Sequence, residues 1–324
     1  MIYSKIIGTG SQLPDKVVTN RDLEKIMDTT DQWIRERTGI CERRIAQDGE
    51  TTGTLAEGAC RKALEASGID PTEIDLFIIG TTTPDLVFPS TSCLIQKRLG
   101  LRDCGTMDVN AACSGFMYAL SVGDKFIRCG DAKKVLVCGA ETLSRITNWE
   151  KRDTAVLFAD GAGAVVLEAS EEPGIISTHI HANGDYVDLL TSNAGVSVGW
   201  DAVKDNGGKP EIIMRGNEVF KVAVRTLGRI VEETMDAAKM DKSDLDWLIP
   251  HQANLRIILA MAKKLDMSMD HVVVTVDRHG NTSSASVPLA LDEAIRDGRI
   301  KRGDLLLLEA FGGGFTWGSA LIRY

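Results

Sequence analysis

Two stretches decide how this chain is built: Ala66-Ser-Gly-Ile-Asp-Pro-Thr-Glu-Ile-Asp75-Leu-Phe-Ile-Ile and, 171 positions on, Ala237-Ala-Lys-Met-Asp-Lys-Ser-Asp-Leu-Asp246-Trp-Leu-Ile-Pro. Each follows a run with helical apolar spacing, Leu55 to Ala66 and Val219 to Ala238, and each leads into a short apolar strand. The same offset links Ala119-Leu120 to Ala290-Leu291, and further apolar strands follow at Val135 to Gly139 and Leu305 to Glu309. The chain therefore reads as one unit used twice, residues 1–171 and 172–324, joined near Glu171-Glu-Pro-Gly174. Strands alternating with helices imply buried sheets in an α/β fold, with a cleft where the halves meet.

Both halves are expected to close on a strand–turn–strand unit rich in glycine, at Ala155 to Leu167 and at Phe311 to Arg323. Gly8-Thr-Gly10 lacks the third glycine of a nucleotide loop and reads as a turn. Thr191 to Pro210, with glycines at 195, 199, 207 and 208, reads as a loop over the cleft.

The net charge of −9 argues against nucleic acid as a main partner, and no apolar run is long enough for a membrane span. Without a secretory signal, a cytoplasmic protein is expected. Seven cysteines with no Cys-x-x-Cys pair suggest neither a disulfide framework nor a zinc site, so no metal is expected. All seven precede residue 139, whereas all five histidines lie beyond residue 170. Any site that pairs the two must be assembled across the halves.

Cys113 sits in Thr106-Met-Asp-Val-Asn-Ala-Ala-Cys113-Ser-Gly-Phe-Met, where strand-like residues meet helical spacing. A thiol at a helix start faces free backbone N–H groups and the positive end of the dipole, which lower its pKa and could hold an oxyanion. Alone, it would equally suit a buried structural cysteine. His251, in Ile249-Pro-His-Gln-Ala-Asn-Leu-Arg256, emerges at the C-terminal edge of a strand, where α/β sheets bind ligands. Leu255, Ile258, Leu259, Ala262 and Leu265 form the apolar face of the helix after it. Asn281, in Arg278-His-Gly-Asn-Thr-Ser-Ser-Ala-Ser-Val-Pro288, would on its own mark only a loop. Gly312-Gly-Gly314 lets backbone approach a ligand closely, or simply makes a tight turn. Arg256, Lys263 and Lys264, with Arg215, Lys221 and Arg225 upstream, concentrate positive charge near His251 and suit an anionic carrier.

Together these segments resemble the β-ketoacyl–acyl-carrier-protein synthase III family of the thiolase superfamily, most specifically through Pro250-His-Gln-Ala-Asn-Leu-Arg256 and His279-Gly-Asn-Thr-Ser. The resemblance spans Ile6-Ile-Gly-Thr-Gly10 to Phe311-Gly-Gly-Gly-Phe-Thr-Trp-Gly-Ser319. It implies a five-layer αβαβα sandwich, a homodimer and a Cys113–His251–Asn281 triad, with an oxyanion hole from Cys113 and Gly313. The implied reaction condenses acetyl-CoA with malonyl-acyl carrier protein, losing carbon dioxide, with no cofactor. By motif, Trp33 and Arg37 in Asp31-Gln-Trp-Ile-Arg-Glu-Arg37, together with Arg152, would hold the CoA adenine and phosphates. Gly216, Asn217 and Asn254 would line the pantetheine tunnel. Phe88 would shape the acyl pocket across the dimer interface, while Arg256 and Lys264 would dock the carrier. Two features depart from the family pattern, Ala159 in place of a glycine and a longer 191–210 loop. A papain-like hydrolase would carry its cysteine near the N-terminus beside a Trp, and a thiolase would need a second late cysteine. An elongating synthase would put a histidine at position 281, and a non-catalytic carrier-binding protein would not need Cys113.

Overall fold

The computed structural model describes residues 2–206 and 208–324, so Gly207 of the cleft loop lies outside the described residues. The first half runs β1 (Tyr3–Gln12), β2 (Val17–Thr19), α1 (Asn20–Leu23), α2 (Asp31–Thr38), β3 (Glu42–Arg44), α3 (Thr52–Ser67), β4 (Leu76–Gly80), α4 (Thr91–Leu99), β5 (Gly105–Val109), α5 (Gly115–Cys129), β6 (Lys134–Thr142), α6 (Arg152–Ala155) and β7 (Asp160–Ser170). The second runs β8 (Ile175–Ala182), β9 (Leu190–Ser192), β10 (Ile212–Met214), α7 (Gly216–Ala238), β11 (Trp247–Pro250), α8 (Leu255–Leu265), α9 (Val276–His279), α10 (Ser286–Arg296), β12 (Leu305–Gly312) and β13 (Thr316–Arg323).

One sheet has the order β1-β7-β6-β4-β5, and the other β8-β13-β12-β11. A parallel bridge from Leu248 to Val272 adds a fifth position to the second sheet. The two orders are equivalent, strand for strand, in direction as well as position. The duplicated sequence has a physical counterpart. Asp70 to Glu73 and Asp241 to Asp244 each form a reciprocal capping box on a single 3₁₀ turn. Asp75 then accepts from the backbone N–H of Lys133 and Lys134, and Asp246 from that of Leu305, so each carboxylate ties two parallel strands together.

Three apolar cores separate five layers. Leu55, Ala59, Cys60 and Ala63 of α3 pack on one face of the first sheet. Phe116, Leu120 and Ile127 of α5 and Val287, Leu291 and Ala294 of α10 fill the space between the sheets. Leu227, Ile230 and Val231 of α7 and Ile258, Met261 and Leu265 of α8 cover the outer face of the second. This is the thiolase-type αβαβα sandwich.

Four local expectations need correction. Gly8 and Gly10 are not a turn but lie inside β1, where an added Cβ would fall 2.4 Å from backbone atoms of α3. Residues 155–159 finish α6 and a loop rather than a strand, and Gly161 and Gly163 sit within β7, the latter against the backbone of Pro288 and Leu289. The 191–210 segment is not all loop, since Ser192 pairs with Ile212 and a 3₁₀ turn spans Asp201–Asn206. On α8, Leu259 is exposed and Met261 takes the buried position.

Glu309, in the middle of β12, is fully buried, and neither carboxylate oxygen finds a hydrogen-bond partner among the described residues. Burial pushes it up to about 8, so the folded protein carries it neutral at pH 7. Between the ordinary carboxylate range and about pH 8 the native state holds a proton that the unfolded chain has lost. Stability attributable to this group therefore falls as pH rises through that window. Glu309→Gln is expected to flatten the decline of the melting temperature between pH 5 and 8. An unchanged slope would show that Glu309 does not titrate in this way.

Candidate active site

The nucleophile loop is built by close backbone contact. After β5, Ala112 takes a left-handed φ of 47° and Ala112–Ser114 makes one 3₁₀ turn into α5, which puts Cys113 at the helix start. Ser114 Oγ donates to the Thr316 carbonyl and Thr316 Oγ1 donates to the Ala111 carbonyl, fixing this loop to the β12–β13 hairpin. A Cβ on Gly312 would lie 2.5 Å from the Cys113 nitrogen, so only glycine permits this approach. The N–H groups of Cys113 and Gly313 both act on the sulfur. Burial nevertheless dominates and pushes the thiol up to about 11, with the nearby Glu141 raising it further and the hydrogen bond from Ser283 opposing. The lowered pKa expected from the helix dipole alone is thus overturned: enclosure outweighs the favourable donors.

His251 follows β11, and its N–H donates to the Glu309 carbonyl at 2.8 Å, extending the parallel ladder by one residue. Ser286 Oγ lies 2.5 Å from Nδ1 and receives the Gln252 N–H at 3.3 Å. A Ser286 hydroxyl that donates to Nδ1 places the imidazole proton on Nε2, the tautomer that a donor role requires. Burial lowers His251 to about 3, so the ring is neutral. Gln252, which the sequence reading passed over, spends its side chain on Pro250 and Val273 carbonyls and on Thr275 and Val276 N–H groups. It locks the histidine strand to the segment leading to Asn281.

Asn281 is held at its backbone by Leu157 and Ala159, each bond 2.9 Å, so the Ala159 departure falls on a residue whose main chain carries the contact. The Ser283 N–H donates to Asn281 Oδ1 at 2.9 Å. That bond orients the amide and leaves Nδ2 to donate.

Cys113, His251 and Asn281 line one cavity of about 290 Å³, together with Trp33, Arg37, Gly216, Asn217, Asn254 and Arg256. Asn254 caps α8 and also donates to the Arg37 carbonyl, joining the second half to α2. The Arg152 guanidinium lies 4.5 Å from the Trp33 ring centroid and donates to the Asp28 carbonyl. It rests directly on the indole rather than across a gap from it. Cys113 also borders a second cavity of about 540 Å³, lined by Leu143, Phe158, Leu190, Ile212, Ser283 and Gly313 among others. Phe88 belongs to neither cavity of its own chain and is 82% exposed. The expected role across a dimer interface is therefore not one that Phe88 fills toward its own chain's cavities.

Lys221, Lys263 and Lys264 are exposed on the adjacent helices α7 and α8, and Arg215 is exposed just before α7. Arg256 stacks over Phe220, and Lys264 lies along Gly228 of α7. Glu141 and Ser283, at the ends of β6 and of the His279–Asn281 loop, were not singled out from sequence. The only signal was a carboxylate closing an otherwise apolar strand.

A cysteine at a helix start that shares a cavity with a neutral histidine and an oriented amide, within a thiolase fold, marks a condensing enzyme. Residues 107–184 match the family model described as 3-oxoacyl-(acyl-carrier-protein) synthase III, and residues 235–324 match that for its C-terminal part. The β-ketoacyl–acyl-carrier-protein synthase III of Xanthomonas campestris is 66% identical over 323 residues, covering 100% of this chain and 99% of that one. That of Alkalilimnicola ehrlichii is 62% identical, with all of both chains covered. Among solved structures, the 3-oxoacyl-acyl-carrier-protein synthase III of Aquifex aeolicus superposes with a TM-score of 0.93 at 48% identity, covering 99% of this chain and 100% of that one. The Thermus thermophilus enzyme gives 0.92 at 41% identity, with 99% of each chain covered. The chain belongs to the β-ketoacyl–acyl-carrier-protein synthase III family.

Proposed function

We propose that this enzyme condenses acetyl-CoA with malonyl-acyl carrier protein, giving acetoacetyl-acyl carrier protein, CoA and carbon dioxide, and so starts a fatty acid chain. The observation that carries this reading is the shared cavity of Cys113, His251 and Asn281, reached past Trp33 and Arg37. Cys113 takes the acetyl group, with the N–H groups of Cys113 and Gly313 receiving the carbonyl oxygen. The malonyl thioester then occupies the same tunnel. His251 Nε2 and Asn281 Nδ2 donate to its oxygen as the carboxylate leaves, and the enolate attacks acetyl-Cys113. Oriented donors of this kind contribute about 10²–10³-fold each. Because carbon dioxide departure generates the carbanion, the chemistry assigned calls for no metal or redox cofactor.

Trp33, Arg37 and Arg152 are assigned to the adenine and phosphates of CoA, for which Arg152 must lift from the indole. Gly216, Asn217 and Asn254 are assigned to pantetheine, and Phe88 to the acyl pocket of a second copy in a homodimer. No helix among the described residues is long and apolar enough to cross a membrane, which fits a cytoplasmic site of action.

Incubation with a panel of acyl-CoAs plus malonyl-acyl carrier protein, read by mass, tests the reaction. Acetoacetyl-carrier product is expected, and its absence with every starter would overturn the reading. Arg215, Lys221, Arg256, Lys263 and Lys264 are assigned to the acidic carrier. Lys221→Glu with Lys263→Glu is expected to raise KM for malonyl-acyl carrier protein by about tenfold at low salt, with the gap shrinking as salt rises. Acetyl capture from CoA should change far less. Equal losses in both steps would remove these lysines from docking.

A further inference from the structure

The family triad leaves one step without an agent: nothing in Cys113, His251 and Asn281 removes the thiol proton. Helix position does not release it, because the sulfur is enclosed. His251 is a poor acceptor, since burial lowers it to about 3.

Behind the sulfur, on the side away from the CoA tunnel, lies a second polar line. Ser283 Oγ is 3.4 Å from Cys113 Sγ and 3.3 Å from Glu141 Oε1. All three side chains are buried, and Glu141 is wholly so. Ser283 adopts a left-handed φ of 51°, unusual for a residue with a side chain. The carboxylate is held by hydroxyls and one amide: Thr83 Oγ1 donates at 2.6 Å, Thr82 Oγ1 at 3.2 Å, Thr81 Oγ1 at 3.3 Å and the Thr82 N–H at 3.1 Å. Among the described residues, no lysine or arginine neutralises it. Carboxylates on adjoining segments are committed elsewhere, Asp85 to Thr51 and Gly53, Asp108 to Thr91 and Ser92, and Asp160 to Ser144 and Ala46. The titratable groups facing one another here are thus Cys113 and Glu141, with His251 across the cavity.

We propose that Ser283 and Glu141 form a proton relay that activates Cys113 for acyl capture, with Ser283 touching the reacting sulfur and Glu141 acting through it as the acceptor. This rests on Cys113 being the nucleophile. Ser283 has one proton and two acceptors in reach, so in the capture step its hydroxyl turns to Glu141 and the Cys113 proton moves to Ser283 Oγ as the Ser283 proton moves to Glu141. The sulfur electron pair forms the new C–S bond, the bond to CoA sulfur breaks, and the leaving CoA thiolate takes a proton from water. After condensation Cys113 departs as thiolate, and the proton returns from Glu141 through Ser283. Burial raises Glu141 to about 7, so ionised acceptor is present at neutral pH, and because the thiol stands at about 11 the uphill transfer is completed only as the C–S bond forms.

The test measures labelled acetyl transfer from acetyl-CoA, and iodoacetamide alkylation, at the peptide containing Cys113 between pH 6 and 10, in the wild type, Glu141→Gln and Ser283→Ala. Ser283→Ala keeps the backbone bond to Asn281 and tests the relay even if Glu141→Gln fails to fold. The wild-type rate should rise through about pH 7 and level off. Both variants should be slower on the order of 100-fold at pH 7 and approach the wild type near pH 10, where hydroxide replaces the relay. A loss by the same factor at every pH, or profiles parallel to the wild type, would overturn the relay and leave only a packing role. If the wild type itself captures no acetyl on Cys113, the functional reading fails rather than the relay.

Discussion

Replacing Cys113 with alanine is expected to abolish acetyl capture from acetyl-CoA, lowering it by at least about 10³-fold, while the protein remains folded. No other cysteine can substitute, because Cys113 is the only one lining either cavity at the site among the described residues. Cys60 and Cys138 are sealed in the cores, and Cys93 and Cys129 are exposed on helices away from the tunnel. The structural cost is small. One sulfur leaves a site already bordered by open cavity, which amounts to about 1 kcal/mol by analogy with removal of a single buried methylene. Ser283 keeps Glu141 as a partner, so no buried hydroxyl is orphaned. Mass analysis of the acetylated protein together with its melting temperature decides the matter. Acetyl transfer that persists in a folded Cys113→Ala protein would take the nucleophile's role from this residue.

The architecture was readable because the duplication is written in residues that do the same work twice. Asp75 and Asp246 stand at one point of the motif and make equivalent bonds to the start of a neighbouring strand. Ala119-Leu120 and Ala290-Leu291 recur because α5 and α10 share the single space between two sheets. The site was readable where a residue type announces chemistry, as with the cysteine at a helix start and the histidine at a strand edge. It was not readable where the role depends on long-range contact. Glu141 and Ser283 are 142 positions apart, and only the packed sheet brings the carboxylate behind the sulfur. Ser286 holds the His251 ring and Gln252 holds Ser286 through bonds that no local spacing encodes. The thiol pKa was misjudged for a related reason: a helix start can be recognised from spacing, but the degree of enclosure cannot. Glycines misled in the same way. Gly161 and Gly163 resemble a turn, yet they sit in β7 because α10 presses against it.

His251→Ala and Asn281→Ala are expected to separate the two halves of the reaction. Each should keep acetyl capture on Cys113 within about tenfold of the wild type and reduce carbon dioxide release from malonyl-acyl carrier protein by about 10²–10³-fold. The two side chains donate to one developing charge, so the double variant should lose less than the product of the single losses. The neutral state of His251 adds a pH signature. An imidazole held at about 3 does not titrate near its ordinary value, so decarboxylation by pre-acetylated enzyme should be flat from pH 5 to 8. An inflection near pH 6.5 would mean that the ring ionises during turnover, and the neutral-donor role would fail. The unfolded chain binds the proton that the buried ring refuses, so the contribution of His251 to stability declines as pH falls from about 6.5 toward 3. Labelled acetyl retained on the protein, measured beside labelled carbon dioxide released, distinguishes these outcomes. Capture lost in step with decarboxylation would place His251 and Asn281 in the acylation step, and the assignment of the thiol proton to Ser283 and Glu141 would lose its reason.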